Sequence, residues 1–158
     1  MNKGMQNMKS NLLINTYDGS LLELRVRPQC RETTVEFDIT YYDEEDKSVS
    51  AVLIFENVIS VDFEVNYFDN YIGAELFGFY EIEDRDRKRD MIERIFENRK
   101  EGYLASGAYD YDAEDEHDML NCRQEFDEID PAAYHLYQQQ TQGGVYHILA
   151  GGYELVRK

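Results

Sequence analysis

The sequence predicts an α+β fold that is mainly β: an antiparallel β-sheet, arranged as a sandwich or a partly open barrel, with one amphipathic helix. Two stretches carry the sheet. Val35, Phe37, Ile39 and Tyr41 alternate with Glu36, Asp38 and Thr40, and Ile59, Val61, Phe63, Val65 and Tyr67 alternate with Ser60, Asp62, Glu64 and Asn66. Period-two alternation puts apolar side chains on one face of a strand and polar ones on the other. A sheet with one wet face is antiparallel, because parallel sheets are covered on both sides. The helix shows as Met91, Ile92, Ile95 and Phe96, which share one helical face inside a charged run from Asp84 to Lys100.

The other elements follow in chain order. Residues 1–10 lack periodicity and read as a flexible N-terminal tail, leaving 11–158 as a single globular domain. Tyr17-Asp18-Gly19 lies between the apolar runs Leu12–Asn15 and Ser20–Val26, where Asp-Gly favours a tight hairpin turn. Asp43 to Lys47 is a polar turn between strands, Ser48 to Phe55 a further strand, and Leu76 to Ile82 another. Asp84 can cap the helix, Arg99 and Lys100 suit its C-terminal end, and Gly102 supplies a stop. Asp130-Pro131 resembles a helix start, but Tyr134–Thr141 and Val145–Leu149 flank Gly143-Gly144 as a hairpin would, so strands are favoured there. Tyr153 to Arg157 forms a closing strand.

A chain of 158 residues with 42% hydrophobic residues, 13 Tyr and 8 Phe can fill one core. Cys30 and Cys122 have no neighbouring cysteine to make a zinc knuckle or a C-x-x-C pair and read as free thiols. The longest apolar run, Ala51 to Phe55, is far short of the ~20 residues that span a bilayer. Leu12 to Ile14 is too short for the apolar region of a signal peptide, so a cytoplasmic location is expected.

The net charge of -17 is unevenly placed. Between Ser48 and Asp84 there are acids and no Lys or Arg, and between Gly107 and Pro131 the acids face Arg123 alone; the rest of the chain is balanced. A focused negative surface attracts a cationic partner and repels nucleic acid and anionic membranes. Nucleic acid and membrane are therefore excluded as partners, and a basic protein is expected.

Motifs for chemistry are weighed and set aside. In Asp110–Asp118, counted as a calcium loop from Asp110, the turn glycine is replaced by Asp115 and the bidentate Glu by Asn121, so no metal is expected. Gly73–Gly78 and Gly102–Gly107 have phosphate-loop spacing but lack the Lys-Ser/Thr that follows one. Ser106 lacks the glycine of a nucleophile elbow, and His117, His135 and His147 form no metal-ligand spacing. Neither catalytic residue nor cofactor is expected, and an enzyme is the less favoured reading.

The aromatic residues exceed what one face of a small sheet can bury, and Tyr among carboxylates is the chemistry of protein contacts. The candidate partner-binding residues are Asp62, Glu64, Tyr67, Tyr109, Asp110, Tyr111, Asp112, Glu114 and Asp115. In composition alone the chain resembles the small acidic immunity proteins with which bacteria neutralise basic toxin enzymes, and that resemblance implies a cationic partner. The expected function is a non-catalytic acidic binder, of the immunity-inhibitor kind. The alternatives are an enzyme or small-ligand carrier with its site inside the β-structure, and an acidic module of a larger assembly.

Overall fold

A computed structural model describes residues 9–27, 33–69, 74–105 and 123–158. Among these, the strands are β1 (Lys9–Ile14), β2 (Ser20–Val26), β3 (Thr33–Tyr42), β4 (Ser48–Glu56), β5 (Ser60–Val65), β6 (Ala74–Glu83), β7 (His135–Thr141), β8 (Gly144–Ala150) and β9 (Gly152–Arg157). The main helix, α1, is Arg85–Ala105, and Pro131–Ala133 forms a 3-10 turn. Every pairing is antiparallel, in the order β5-β8-β7-β6-β2-β3-β4-β9, with β1 also on β6. The sheet is open, and the fold is α+β and mainly β as the alternation predicts.

The chain divides into two compact units: residues up to Asp84 with Tyr134–Lys158, and Arg85–Ala133. In the first, the sheet doubles back on itself so that two layers face each other across an aromatic core. Phe37 of β3 meets Tyr146 of β8 with ring centroids 5.4 Å apart. Phe55 of β4 lies 5.9 Å from Phe79 of β6 and 5.6 Å from Tyr137 of β7. Val35, Phe37, Ile39 and Tyr41 all point into this core, the face their alternation assigns.

Strand β6 joins the layers. Its first residues pair with β2 (Ala74↔Leu21, Glu75↔Ser20), and its later ones pair with β1 (Phe79↔Ile14 to Glu83↔Lys9). The expected hairpin at Tyr17-Asp18-Gly19 is therefore a correction. The tight turn is present, with Asp18 at φ 65° and Gly19 N–H donating to Thr16 O at 3.0 Å, but β1 and β2 lie end to end along β6 and do not pair with each other. Gly19 is required for packing as well: a Cβ there would stand 2.2 Å from the Thr40 carbonyl oxygen.

Between Leu76 and Phe79 the ladder to β7 shifts register, a bulge at Phe77-Gly78. The bulge takes the Phe77 carbonyl out of regular pairing, and fully buried side chains satisfy it: Thr16 Oγ1 donates to it, and Gln139 Nε2 donates to it at 2.8 Å. At Gly78 a Cβ would come within 2.8 Å of the side-chain ends of Leu12, Tyr17 and Tyr80, so these would have to move aside for any larger residue. At the far side, the β4–β5 and β8–β9 connections cross between the layers side by side. Gly151 N–H donates to the carbonyls of Glu56 at 2.9 Å and Asn57 at 3.2 Å, and Asn57 takes φ 52°.

The outer face of the β2–β3–β4 layer carries an ion network. Arg25 reaches Glu36 at 2.8 Å and grips both oxygens of Asp38, while Arg27 adds a contact to Glu36 at 3.1 Å and Lys158 one to Asp38 at 3.4 Å. The Arg25 hydrogen bonds hold the almost buried Asp38 carboxyl below its ordinary pKa, against the opposing effect of burial.

In the second unit α1 extends past its expected end. Gly102 does not stop it, because nothing crowds that position and an exposed glycine in a helix costs only about 1 kcal/mol. Its last turn consequently holds no basic residue, so Arg99 and Lys100 lie one turn further in. Met91, Ile92 and Phe96 are buried and Ile95 half-buried. Residues 123–127 add a short helical segment not expected from the sequence. Its Phe126 packs edge-on against Phe96 at 6.0 Å, while Arg123 covers the Phe96 ring and Arg99 the Phe126 ring. The helix start at Asp130 and the strand at Tyr134 both occur in sequence: Ala132 N–H donates to Asp130 Oδ1 at 2.9 Å, and β7 begins at His135.

Two predictions follow from these contacts. Gln139→Leu keeps the volume but removes a donor from the Phe77 carbonyl, so urea denaturation should show a loss of about 1 to 3 kcal/mol. Gln140→Leu, at the exposed neighbouring position, should stay within about 0.5 kcal/mol. Equal stabilities for the two variants would reject the carbonyl network as the lock of this corner.

The second concerns pH. A carboxyl whose folded pKa is depressed contributes stability that is present above its unfolded value, about 3.9, and is lost as pH falls through the folded value. The parent should lose more stability than Asp38→Asn between neutral pH and pH values below about 3.9. Parallel pH curves for the two proteins would show that the Arg25–Asp38 pair carries none of the acid sensitivity.

Candidate functional site

Of the sequence-predicted residues, Asp62 and Glu64 lie on β5 and Tyr67 in the turn that follows it. Tyr109, Asp110, Tyr111, Asp112, Glu114 and Asp115 lie outside the described residues, as do Cys30, Cys122, Ser106 and His117.

Strand β5 ends the sheet, pairing with β8 from Ser60↔Leu149 to Val65↔Gly144 without a register break. Val61 and Phe63 pack on the core, Phe63 meeting Tyr146 edge-on at 5.2 Å. The alternation then turns Asp62 and Glu64 to the outer face. Asp62 is half-buried and stands in register with His147, whose Nε2 lies 2.8 Å from Gln138 Oε1; Glu64 is exposed.

The strand stops at Val65, two residues earlier than the apolar period suggests. Asn66 is the cause. Its N–H donates to Gly143 O at 3.0 Å, and its side-chain Oδ1 accepts the Asp69 N–H at 2.8 Å, folding residues 66–69 into a side-chain-capped turn. Tyr67 and Phe68 sit at the tip, 91% and 94% exposed. Phe68 is not among the sequence-predicted contact residues, although two adjacent aromatics cannot both face the core of one strand, so at least one of Tyr67 and Phe68 has to point outward. Beside the turn, a shallow groove of about 630 Å³ is lined by Phe63, Glu64, Val65, Asn66, Gln140 and Gln142 among others.

A second groove, of about 430 Å³, lies by the β3–β4 turn and also joins tyrosines to acids: Tyr41, Tyr42, Asp43, Glu44 and Glu45. Its charge is partly matched locally, because Arg157 lines it and Lys47 bonds Glu45 at 2.9 Å. The sequence from Ser48 to Asp84, which contains β5 and its turn, holds no Lys or Arg of its own.

A further titratable cluster of this unit surrounds Glu81. His135 Nδ1 bonds Glu81 Oε1, the His135 ring stacks on Tyr137 at 5.9 Å, and Tyr153 meets Tyr137 edge-on at 5.2 Å. Burial first, then the Glu81 charge, pushes the Tyr137 hydroxyl up to about 12 and also raises Tyr153. Tyr137 is thus a protonated, buried ring that packs against Phe55 and Phe79, a structural role. Among the described residues no group of His, Cys, Asp and Glu is placed to hold a metal ion, and no helix is long and apolar enough to cross a membrane. Gly78 lies in β6 and Gly102 in α1, so neither apparent phosphate-loop spacing forms a loop at those positions.

Comparison with protein-family models, curated proteins and solved structures finds no match.

Proposed function

We propose that this protein is a non-catalytic binder of a basic protein, of the kind represented by an immunity-type inhibitor of a toxin enzyme, and that β5 with the turn at residues 66–69 is part of its contact surface. The observation that carries the reading is the exposure of Tyr67 and Phe68 beside Glu64 and Asp69 in a stretch without a base. Burying each ring in a partner returns roughly 1.5 to 3 kcal/mol. Aromatic anchors within a charged rim are the usual composition of an interface hot spot. The surrounding charge acts mainly on association rate, since complementary potentials steer encounter more than they hold the complex.

A site inside the β-structure has less support. Phe37, Phe55, Phe79, Tyr146, Leu53 and Ile148 fill the space between the layers and are almost completely buried.

The test begins with affinity capture from the native host at low salt and elution with rising salt. The captured partner should be basic. Tyr67→Ala with Phe68→Ala should then speed its dissociation about tenfold or more, a cost of at least about 1.4 kcal/mol. Glu64→Gln with Asp69→Asn should slow association at low salt and match the parent at high salt, where charge is screened. Asp110, Asp112, Glu114 and Asp115, changed to Asn or Gln, are tested in the same way. A neutral or acidic partner, or parent-like rates for both variants at β5, would remove the reading.

A further inference from the structure

We propose that the outer edge of β5 takes up an extended basic segment of the partner as an added β-strand. This rests on the binding reading above and supplies its mode of recognition.

The orientation of the backbone groups can be derived. Asn66 N–H donates to Gly143 O, and these two residues continue the register in which Val65 faces Gly144 and Glu64 faces Val145. Antiparallel ladders alternate between bonded and non-bonded pairs. Asn66, Glu64, Asp62 and Ser60 are therefore the positions bonded toward β8. The N–H and C=O groups of Val61, Phe63 and Val65 point the other way, to an edge on which no strand pairs among the described residues.

Natural sheets blunt such edges with Lys, Pro or a bulge. The other outer strands here have these features: β9 runs into Arg157 and Lys158, and β1 starts at Lys9 and carries a register break between Leu12 and Ile14. Strand β5, Ser-Val-Asp-Phe-Glu-Val, has no Pro, no Lys and no break against β8. What it has is negative charge on its outer face.

That charge selects the occupant. A second copy paired antiparallel about Phe63 would set Asp62 of one chain against Glu64 of the other, and like charges directly opposite are destabilising. A strand bearing Lys or Arg at those positions gains where the copy loses. Side chains alternate across an added strand, so its cations would lie over Asp62 and Glu64 while its β-branched or aliphatic residues lie on the side of Phe63 and Val65. Tyr67 and Phe68 follow directly in the turn after β5 and are almost fully exposed.

Amide hydrogen exchange followed by NMR tests this residue by residue, with a short synthetic peptide alternating lysine with valine as the probe and its glutamate counterpart as the control. At about 1 mM lysine peptide the Val61, Phe63 and Val65 amides should slow about tenfold or more, with smaller changes at Asp62 and Glu64. Val65→Pro removes an edge-facing N–H that the ladder to β8 does not use, and should abolish the protection with the fold retained by circular dichroism. Glu64→Lys should weaken the response to the lysine peptide and strengthen that to the glutamate peptide, a readout that stands even if the proline variant unfolds. Three results overturn the inference: no protection by the lysine peptide, equal protection by both peptides, or protection of the same amides that rises with protein concentration alone, which would assign the edge to a second copy. If the captured partner depends on Tyr67, Phe68 and Glu64 yet leaves the edge amides unprotected, strand addition fails and the binding reading stands. If it depends on none of these residues, the binding reading fails first.

Discussion

The Phe77 carbonyl is the point on which the sheet unit turns. Strand β6 has to serve β2 at one end and β1 at the other, and it makes that change of partner across a bulge that removes a backbone group from its ladder. A buried carbonyl without a donor costs about 1 to 3 kcal/mol, a large part of the stability of a small domain. Thr16 and Gln139, 123 residues apart in sequence, both reach it, and so tie the β1–β2 turn, β6 and β7 together. With that corner fixed, Phe79 and Tyr137 are held against Phe55, and the two layers share one aromatic core.

Period was legible in the sequence, and partnership was not. Alternation identified β3 and β5 and the face each buries, because side-chain direction in a strand depends only on local geometry. Which strand lies beside which depends on contacts between distant residues. Asp18-Gly19 announced a turn correctly, but a turn does not specify that its flanking strands pair with each other rather than with β6. The same limit explains Phe126: one buried ring in a mostly charged segment has no period to reveal it, and its burial becomes visible only beside Phe96. Gly102 was misleading for a different reason, since helix termination needs a favourable cap as well as a weak helix former.

The site was legible in part. Asp62, Glu64 and Tyr67 lie along β5 and the turn that follows it, with Asp62 and Glu64 on the outer face of the strand. Phe68 was missed because Tyr67 was read as the last strand residue, and the turn that releases both rings is made by the Asn66 side chain. Charge along the sequence does not say which acids meet a base. Glu36 and Asp38 lie in the part of the chain where acids and bases nearly balance, and Arg25, Arg27 and Lys158 pair with them on the outer face of the β2–β3–β4 layer.

This sorting of the acids gives the negative surface its direction. Where acids and bases alternate across β2 and β3, the ion pairs close on themselves and leave little field to act at a distance. At β5, where exposed Glu64 lies in a stretch of sequence without Lys or Arg, the field of a surface charge extends about a Debye length, roughly 8 Å at physiological salt, beyond the surface. For the cationic partner we propose, that range would serve approach but is too diffuse to fix a register. Register requires directional contacts, and an antiparallel edge supplies them at fixed spacing through backbone groups that do not depend on the partner's side-chain identities. In the binding we propose, charge for approach, backbone edge for alignment and two exposed rings for affinity would be separable contributions of one short segment, residues 60–69.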